Sequence, residues 1–374
     1  MRAMIMAAGL GTRLRPLTGL IPKPMAPLAN RPALYHIVEL LKRHGITEVV
    51  INIHYFPDTL TSYLGDGYDL GMSIRFAYEE ELLGTAGGVK NNEDFLGGGT
   101  FIVMSGDALT DLDLEAAVRT HRQKGGIATL SVKEVEDPSD YGVMIVDEND
   151  RITGFQEKPA PEEALSNLSN AGIYIFEPEI FKRIPADTFY DFGNQVLPGL
   201  VEEDIPFYVH RIESYWNDVG SLSEYRQGNF DALRGKVQLE PEGTEVSPGV
   251  RAGERTYISP EASVEGPVLL GRDCRVEGDA VLRGPLVIGD YCVIEAGATL
   301  ESSVLWSGVL VGPRAQVQDS IVASHTSLWP EARVVDSVVG ERCGLLEGAA
   351  VERSLVGVGS LVEAGEKLVD EGLA

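Results

Sequence analysis

The 374-residue sequence predicts an α/β fold in which a mainly parallel β-sheet with helices on both faces is followed by a parallel β-helix. Two observations carry this prediction. Within the range 1–235, short apolar runs alternate with amphipathic helical segments, which is typical of a parallel sheet covered by helices. From residue 264 onward an apolar residue recurs at every sixth position, a period that fits neither an amphipathic helix nor a long strand. We therefore expect two domains, residues 1–235 and residues 236–374.

The first domain begins with a short apolar run, residues 3–7, that ends at Gly9 as a buried strand would. A helix is predicted over residues 32–44, because a proline stands in its first turn, apolar residues share one face and Gly45 follows its end. A second amphipathic helix is predicted at residues 114–124. Ligands of such sheets bind beyond the carboxyl ends of the strands, so the residues that follow each strand are candidate site residues. Further strands are predicted at residues 48–53, 73–78, 100–105, 143–146, 152–156 and 170–176.

The second domain is predicted from its six-residue period. Each hexad would form one short face of a coil, with its apolar residue pointing inward to stack on the neighbouring coils. Cys274 and Cys292 stand two residues before such positions, so we interpret them as packing residues. After Trp306 the register slips, Val311 and Val317 resume the spacing, and the segment beyond either completes the β-helix or caps it. The periodic positions are Val264, Leu270, Val276, Leu282, Ile288, Ile294, Leu300 and Trp306.

The charge of the chain excludes several classes of partner. The formal net charge is −26 at pH 7, whereas non-specific nucleic-acid binding needs a basic protein surface. An anionic membrane would likewise repel an acidic protein surface. No stretch of about 18 apolar residues predicts a transmembrane helix, and the apolar N-terminal run is too short for a signal peptide. The chain is therefore expected to be cytoplasmic. Its three cysteines lack the spacing of a zinc site or a disulfide framework.

A glycine-rich segment with three cations follows the first predicted strand. It begins Gly9-Leu10-Gly11-Thr12-Arg13, and Arg15 and Lys23 complete three cations within eleven residues. The segment is neither a Rossmann GxGxxG motif nor a P-loop. Glycines nevertheless let backbone amides approach an anion closely, and clustered cations suit the charge of a triphosphate. We interpret the segment as a phosphate-binding loop rather than a solvated surface loop.

Two aspartates and a lysine follow other strands. Asp107 closes the segment Ser105-Gly106-Asp107, and Asp218 lies far along the chain, after Trp216-Asn217. A Mg²⁺ ion held by two carboxylates and by phosphate oxygens matches the usual coordination of this ion. Lys158 follows another predicted strand and could contact a second phosphate. Taken alone, each aspartate also fits a turn and the lysine also fits a surface position.

Together these segments resemble the sugar-phosphate nucleotidyltransferase family, also called nucleotide-sugar pyrophosphorylases. Residues 7–24 match the family pattern AAGxGTRLxPLT…PKP at every fixed position, and the resemblance extends over residues 1–235. Residues 240–365 resemble the left-handed β-helix of hexapeptide-repeat proteins, which several subfamilies share, including mannose-1-phosphate guanylyltransferases. The resemblance thus implies a Rossmann-like nucleotidyltransferase domain followed by a left-handed β-helix.

The resemblance also implies a reaction. A sugar 1-phosphate would attack the α-phosphorus of a nucleoside triphosphate in line, forming a nucleoside diphosphate sugar and releasing pyrophosphate. Because the attacking phosphate oxygen is already anionic, no general base is needed. The enzyme would instead hold two anions together in line, which calls for cations and a metal ion.

The roles that the resemblance implies divide among the substrates. Backbone groups of three residues would contact the nucleotide phosphates: Gly9, Gly11 and Thr12. Two cations would neutralise the triphosphate and the departing pyrophosphate: Arg13 and Lys23. Mg²⁺ would lie between Asp107 and Asp218, and Lys158 would hold the sugar phosphate. Three residues would meet the base, namely Ala8, Gly84 and Thr85. Three would meet the sugar hydroxyls, namely Gly142, Glu157 and Asn170.

The substrate pair follows less directly. Glu80 and the segment Leu83-Gly84-Thr85-Ala86-Gly87 resemble the base-recognition segment of guanylyltransferases and some uridylyltransferases. With the β-helix and the spacing of Asn170 after Lys158, this favours GTP and mannose 1-phosphate. Glucose 1-phosphate with UTP or dTTP is the alternative, because pocket shape decides between such substrates.

Two rival functions and an assembly are also considered. An acyltransferase would need a base between the coils, and His325 is the only histidine of the second domain. A non-catalytic regulatory subunit that senses nucleotide sugars would be favoured by loss of the catalytic cations or carboxylates. All of these are present: Arg13, Lys23, Asp107, Lys158 and Asp218. The β-helix is expected to make the chain a homo-oligomer, because open coil ends and flat apolar faces favour self-association.

Overall fold

The computed structural model describes residues 1–240 and 242–373, which form two compact units. The first unit contains residues 1–10 and 34–218, and the second contains residues 11–33 together with the chain from residue 219 onward. This division by packing differs from the sequence domains 1–235 and 236–374, whose boundary remains a prediction. The difference arises because residues 11–33 and 219–235 pack with the C-terminal coils.

The elements of the range 1–235 lie close to their predicted positions; the helix at 114–124, for example, is α5. The helices are α1 (Ala33–Arg43), α2 (Pro57–Leu64), α3 (Gly84–Lys90), α4 (Glu93–Leu96), α5 (Leu114–Lys124), α6 (Leu197–Glu202) and α7 (Leu222–Leu233). The strands are β1 (Arg2–Met6), β2 (Pro27–Leu28), β3 (Arg31–Pro32), β4 (Glu48–Ile53), β5 (Ser73–Tyr78), β6 (Phe101–Ser105), β7 (Leu109–Thr110), β8 (Ala128–Glu134), β9 (Gly142–Val146), β10 (Ile152–Glu157), β11 (Leu168–Phe176), β12 (Tyr208–Arg211) and β13 (Trp216–Asn217).

A nine-stranded sheet forms the centre of the first unit. One half is parallel, in the order β6-β1-β4-β5. In the other half β11 runs antiparallel to β6, β8 and β9, and β9 forms a hairpin with β10, while β12 runs parallel to β8. The sheet is thus mixed rather than mainly parallel. The physical reason is connection length, since residues 147–151 between β9 and β10 are too few for the crossover that parallel strands require.

The parallel half of the sheet sets the position of the site. The carboxyl ends of β1, β4, β5 and β6 meet at one edge, so the residues that follow these strands are brought together there. The interior of these strands is apolar, and the side chains of Met4, Val50 and Val103 are buried. None of the helices in residues 1–240 and 242–373 is both long and apolar enough to cross a bilayer.

The second unit contains the predicted β-helix, in which each coil contributes one strand to each of three sheets. The pairing between coils is parallel throughout, and it continues to Leu373, so the segment beyond Val311 completes the β-helix. The strands are β14 (Thr244–Ser247), β15 (Val250–Ala252), β16 (Tyr257–Ile258), β17 (Ser263–Glu265), β18 (Val268–Leu270), β19 (Arg275–Val276), β20 (Val281–Arg283), β21 (Leu286–Ile288), β22 (Val293–Ile294), β23 (Thr299–Glu301), β24 (Val304–Leu305), β25 (Leu310–Val311), β26 (Gln316–Gln318), β27 (Ile321–Val322), β28 (Ser327–Leu328), β29 (Arg333–Val335), β30 (Val338–Val339), β31 (Gly344–Leu345), β32 (Ala350–Glu352), β33 (Leu355–Val356), β34 (Leu361–Val362), β35 (Lys367–Val369) and β36 (Gly372–Leu373).

The coils become one residue shorter at one corner. Leu269 pairs with Val287 in the next coil, whereas Val287 pairs with Val304, which comes one position sooner than the first spacing would place it. Ser302 alone therefore takes the place of the two corner residues Gly284-Pro285, and every later coil keeps the shorter length. A ladder of serine hydroxyls accompanies the shorter coils, each accepting a hydrogen bond from the next coil: Ser303 from Ser320, Ser320 from Ser337, and Ser337 from Ser354.

The shorter corner corrects the prediction for Trp306. Ile288 pairs with Leu305, so Leu305 takes the inward position, and Trp306 falls on the corner position that Gly289 holds one coil earlier. The prediction of inward positions is confirmed for the preceding residues of the period from Leu270 to Leu300. Cys274 and Cys292 are buried in the same core, as expected.

Candidate active site

A buried polar network supports the start of the loop that follows β1. Ala7 donates its backbone N–H to Asn52 Oδ1 at 2.8 Å, and Asn52 Nδ2 donates to Glu79 Oε1 at 2.8 Å. The other oxygen of Glu79 accepts the backbone N–H of Leu83 at 3.1 Å. Gly88 leaves space for this carboxylate, because a Cβ there would lie 2.6 Å from Glu79 Oε1. The network thus ties the carboxyl ends of β1, β4 and β5 to the segment that begins α3.

The predicted base-recognition segment is held against a second stretch of backbone. Gly84 has a φ of +74°, and a Cβ there would lie 2.5 Å from Tyr190 O, so this position requires glycine. The Thr85 hydroxyl donates to Asp191 Oδ2 at 2.8 Å and accepts the backbone N–H of Phe192 at 2.9 Å. Thr85 therefore has a structural role in joining α3 to the turn of π-helix that begins at Phe192.

Strand pairing brings the two predicted metal ligands close together. Asp107 follows β6, and Asp218 follows β13. β13 pairs antiparallel with β7, with Asn217 opposite Leu109, so Asp218 comes opposite Ala108, one residue from Asp107. Both aspartates are half-buried. Two carboxylates from distant parts of the chain thus share one end of a short two-stranded sheet.

A third aspartate fixes the segment that carries Asp218. Asp111 Oδ1 accepts the backbone N–H of Tyr215 at 2.9 Å, and the Thr110 hydroxyl donates to Tyr215 O at 2.7 Å. These contacts anchor the chain shortly before Asp218. Asp111 thus positions a ligand-bearing segment, although the sequence pattern does not single it out.

Lys158 has a strained backbone and is linked to Asp218 through a tyrosine. Its φ is +45°, in the left-handed region that lysine rarely adopts, and its N–H donates to Tyr141 O at 3.0 Å. The Tyr141 hydroxyl donates to Asp218 Oδ1 at 3.4 Å, and its ring packs on Trp216 with 5.7 Å between centroids. Strain of this kind persists where surrounding contacts maintain it, and it is typical of functional sites.

Glu157 pairs directly with Gly142 across the β9–β10 hairpin. A Cβ on Gly142 would lie 3.0 Å from Glu157 Oε2, and one on Gly193 would lie 3.1 Å from it, so both glycines leave room for the carboxylate. Partial burial raises the pKa of Glu157, while Lys158 opposes the shift and the Asp191 carboxylate adds to it. The arrangement suits a carboxylate that accepts hydrogen bonds from hydroxyl groups.

Asn170 lies at a β-bulge in β11. The bulge contains Gly172, whose φ is +69°, and bulges of this kind often redirect side chains next to active sites. Asn170 Nδ2 donates to the Tyr174 hydroxyl at 2.8 Å, and its Oδ1 accepts the N–H of Gly172 at 3.1 Å. Burial raises the pKa of Tyr174, so its phenol stays protonated. The amide is therefore held in one orientation.

The glycine-rich loop after residue 10 lies in the second unit. Gly11 has a φ of +61°, and a Cβ there would lie 2.6 Å from Lys23 Cβ, so the loop closes tightly on itself. The Thr18 hydroxyl donates to Gly11 O at 2.8 Å. Thr12 and Arg13 are exposed, whereas Lys23 is buried, with 7% of its surface accessible. The loop thus presents Thr12 and Arg13 to solvent from a base fixed by Gly11 and Lys23.

Most predicted site residues meet within the first unit. Glu157 faces Gly142, Lys158 connects through Tyr141 to Asp218, and Asp218 approaches Asp107. Asp191 and Gly193 lie between the Thr85 and Glu157 groups. Ala8 and Gly9 follow β1, while Gly11, Thr12, Arg13 and Lys23 belong to the second unit. Two cavities of about 370 and 460 Å³ open at the opposite, amino edge of the sheet and are lined by none of these residues.

The sequence pattern missed the residues that support this arrangement. Asn52, Glu79, Tyr141 and Asp191 are single polar or aromatic residues in unremarkable segments, and only their hydrogen bonds to distant residues single them out. Glu80, the predicted carboxylate of the base segment, is exposed, whereas its neighbour Glu79 is buried in the network. Alternation along β5 would have favoured the wrong residue, because it places Glu80 and not Glu79 on the face of Ile74 and Phe76.

Comparisons with known proteins show the family that the chain resembles. Residues 2–235 match the family described as "Nucleotidyl transferase", and residues 264–364 match the "GMPPB C-terminal domain". A UTP–glucose-1-phosphate uridylyltransferase of Synechocystis sp. is 41% identical over 334 residues, covering 85% of this chain and 86% of that protein. A mannose-1-phosphate guanylyltransferase of Mycobacterium tuberculosis is 34% identical over 285 residues, covering 71% and 79%.

A solved structure supports the fold of the catalytic region. HddC from Yersinia pseudotuberculosis, complexed with GMP-PN, superposes with a TM-score of 0.53 at 26% identity. The match covers 61% of this chain and 97% of that one. With the family match over residues 2–235 and relatives of 34% and 41% identity along most of the chain, the chain belongs to the nucleotidyl transferase family of sugar-phosphate nucleotidyltransferases.

Proposed function

We propose that the site joins a nucleotide to a sugar 1-phosphate through the residues described above. The observation that carries this proposal is the link from Lys158 through Tyr141 to Asp218, which comes next to Asp107. The backbone of Lys158 bonds to Tyr141, whose side chain reaches Asp218, and a lysine carried on this segment suits a phosphate that must approach a metal-bound nucleotide. Lys158 binds the phosphate of the sugar substrate, and Glu157 with Asn170 receives its hydroxyls. The attacking oxygen is already anionic, so no residue needs to act as a general base.

The loop residues are assigned to the nucleotide. Backbone amides of Gly9, Gly11 and Thr12 bind its phosphates, and Arg13 and Lys23 neutralise the charge that moves onto pyrophosphate. Ala8, Gly84 and Thr85 contact the base. For Thr85 this contact comes from its backbone or methyl group, because its hydroxyl bonds to Asp191 and Phe192.

The family uses a divalent metal, and we propose that Asp107 and Asp218 hold Mg²⁺. The donor set fits, because both side chains supply hard oxygen ligands and strand pairing brings them close together. Within the described residues no group of three or more His, Cys, Asp or Glu side chains could hold a metal alone. Phosphate oxygens of the substrates would therefore complete the coordination, as is usual for Mg²⁺. The ion would supply electrophilic stabilisation of charge at the α-phosphate.

We propose GTP and mannose 1-phosphate as the substrates. The C-terminal match to the GMPPB domain and the guanylyltransferase relative both support this pair. The second candidate is UTP with glucose 1-phosphate, favoured by the uridylyltransferase relative of 41% identity. A hydroxyl inversion in the sugar is discriminated by pocket shape, so a measurement has to decide.

The deciding assay is pyrophosphate release with Mg²⁺ over a grid of substrates. GTP, UTP, dTTP, ATP and CTP are each combined with the 1-phosphates of mannose, glucose, galactose and N-acetylglucosamine. Turnover dominated by GTP and mannose 1-phosphate supports the first candidate, and turnover dominated by UTP and glucose 1-phosphate replaces it by the second. Binding of nucleotide sugars with no turnover anywhere would instead indicate a regulatory subunit.

We also propose that the β-helix mediates self-association. One of its sheets has outward side chains that include Tyr257, Leu310 and Leu361, of which 36–52% of the surface is accessible. Exposed apolar side chains on one face of a sheet favour contact with a second copy. Light scattering at micromolar concentration should give a mass at least twice that of the 40.4 kDa chain. A monomer under these conditions would contradict the proposal.

A further inference from the structure

The position of Trp306 in the β-helix is exceptional. One corner of each coil follows the sheet that contains β15, β18, β21 and β24. The equivalent positions at this corner in successive coils hold Gly253, Gly271, Gly289, Trp306, Ala323, Gly340 and Gly357. The coils stack so closely that a Cβ on Gly289 would lie 2.6 Å from the backbone N of Ser307. A tryptophan among glycines and an alanine therefore serves something other than coil stacking.

Trp306 is directed at α7, outside the coil core. Its indole Nε1 donates to the Tyr225 hydroxyl at 2.7 Å, and the two rings meet edge to face with 6.3 Å between centroids. Only 2% of Trp306 and none of Tyr225 is accessible to solvent. Burial raises the pKa of Tyr225, so the phenol keeps its proton and can donate a hydrogen bond while accepting the one from Trp306.

The Tyr225 hydroxyl also donates a hydrogen bond to the hairpin that follows the glycine-rich loop. The acceptor is Pro27 O at 2.5 Å, in the hairpin formed by β2 and β3. The tip of this hairpin has two consecutive non-glycine residues with positive φ, Ala29 and Asn30. Such a turn costs free energy and persists because it is held from outside.

Two further hydrogen bonds hold that tip. The N–H of Ala29 donates to Asn229 Oδ1 at 2.9 Å, and Asn229 lies one turn beyond Tyr225 in α7. Asn30 Nδ2 donates to Ile288 O at 2.8 Å, which is backbone of the β-helix itself. Near the other end of the loop, a Cβ on Gly19 would lie 2.6 Å from Val358. The loop thus rests on the coils at several separate points.

We infer that Trp306, Tyr225 and Asn30 are positioning residues for the nucleotide, and that the β-helix forms the base of the phosphate-binding loop. Lys23 lies between these anchors and Arg13 lies six residues before Gly19, so the inference rests on the function proposed for those cations. The coils supply a rigid surface, because inward side chains of successive coils stack on one another and the strands of the inner coils pair on both sides. Cations on such a base are held where the phosphates arrive, without a further cost in entropy.

The test uses the whole 374-residue chain with Tyr225→Phe, Trp306→Phe and Asn30→Gly. Trp306→Phe and Asn30→Gly each remove one of these hydrogen bonds, whereas Tyr225→Phe removes two, and the variants keep an aromatic ring or the left-handed backbone. The KM for the nucleoside triphosphate should rise about three- to tenfold, the effect of one buried hydrogen bond, while the KM for the sugar 1-phosphate changes less than twofold. Trp329→Phe is the matched control, since Trp329 belongs to the same β-helix but 52% of it is exposed.

A second readout separates this inference from the proposed reaction. Amide hydrogen exchange without substrates should be faster over residues 11–30 in Tyr225→Phe and Trp306→Phe, with protection of the β-helix strands unchanged. This holds whichever substrates the grid identifies. Unchanged exchange and unchanged nucleotide KM in folded variants would overturn the inference. Equal rises of both KM values, or the same effects in Trp329→Phe, would overturn it as well.

Discussion

The left-handed backbone of Lys158 leads to a prediction about stability and activity together. Its φ of +45° costs a non-glycine residue about 1–2 kcal/mol, whereas glycine adopts this conformation freely but loses about 0.5–1 kcal/mol through the flexibility of the unfolded chain. Lys158→Ala keeps the strain, and Lys158→Gly removes it. We therefore expect Lys158→Gly to be more stable than Lys158→Ala by about 0.5–1 kcal/mol.

The same pair of variants tests the role of the side chain. Both remove the ammonium group, and a charge-assisted contact with phosphate contributes about 1.5–3 kcal/mol. The KM for the sugar 1-phosphate should therefore rise by roughly 10- to 150-fold in both variants, with a much smaller effect on the nucleotide. Thermal or denaturant unfolding without substrates gives the stabilities, and pyrophosphate release gives the kinetic constants.

A control with the opposite sign is available at Lys182. This exposed lysine lies in the 3₁₀ segment Pro178–Arg183 and is absent from the residues with positive φ. At this position Lys182→Gly should be less stable than Lys182→Ala, by about 0.5–1 kcal/mol. Equal stabilities of the two Lys158 variants would refute the strain at this position. Equal effects on both substrates would refute the assignment of the lysine to the sugar phosphate.

The remaining predictions concern the metal, the base segment and pH. Asp107→Asn should lower turnover by roughly 100-fold or more with an unchanged unfolding transition, and normal turnover would contradict the metal assignment. Gly84→Ala should destabilise by about 2 kcal/mol or more, because it adds strain and a clash with Tyr190 O. Gly125→Ala, where φ is +70° but the space is open, should show only the strain, about 1 kcal/mol. Burial raises the pKa of Glu157 above its ordinary value, so the folded protein binds this proton more tightly than the unfolded chain does. The free energy of unfolding therefore falls as pH rises from the ordinary pKa of a glutamate through the raised pKa of Glu157. Glu157→Gln should remove this loss, so it should be more stable than the unmodified protein at neutral pH. In acid below the ordinary pKa of a glutamate it should have no such advantage. Unfolding measured at several pH values tests both expectations.

The coils could be predicted up to the point where their length changes. A six-residue period finds inward residues as long as each coil holds three full hexads, and it assigned Leu300 correctly. Losing one corner residue at Ser302 shifts every later position, so the same period placed Trp306 inside. The missing signal was a second period: serines recur every 17 residues from Ser303 to Ser354, and each joins two coils.

The candidate site was predictable where chemistry demands unusual local sequence. Glycines beside cations and a strand ending in an aspartate are visible without a structure, so Arg13 and Asp107 could be singled out. Asn52 and Glu79 could not, because Asn52 bonds to Glu79 across 27 positions and to Ala7 across 45. The mixed direction of the strands could not be predicted for a related reason, since strand direction depends on connections that apolar runs do not reveal.

The segment from Gly19 to Asn30 contacts the β-helix at two points along its axis. Asn30 holds the backbone at Ile288, and Gly19 lies against Val358, four coils further along. At about 4.8 Å per coil, the loop spans roughly 19 Å of the helix axis. Inserting or removing a coil between Ile288 and Val358 would move one of these contacts by about 4.8 Å, so the segment between Gly19 and Asn30 would have to change its conformation to keep both. Coils outside this interval can be added or removed without moving either contact.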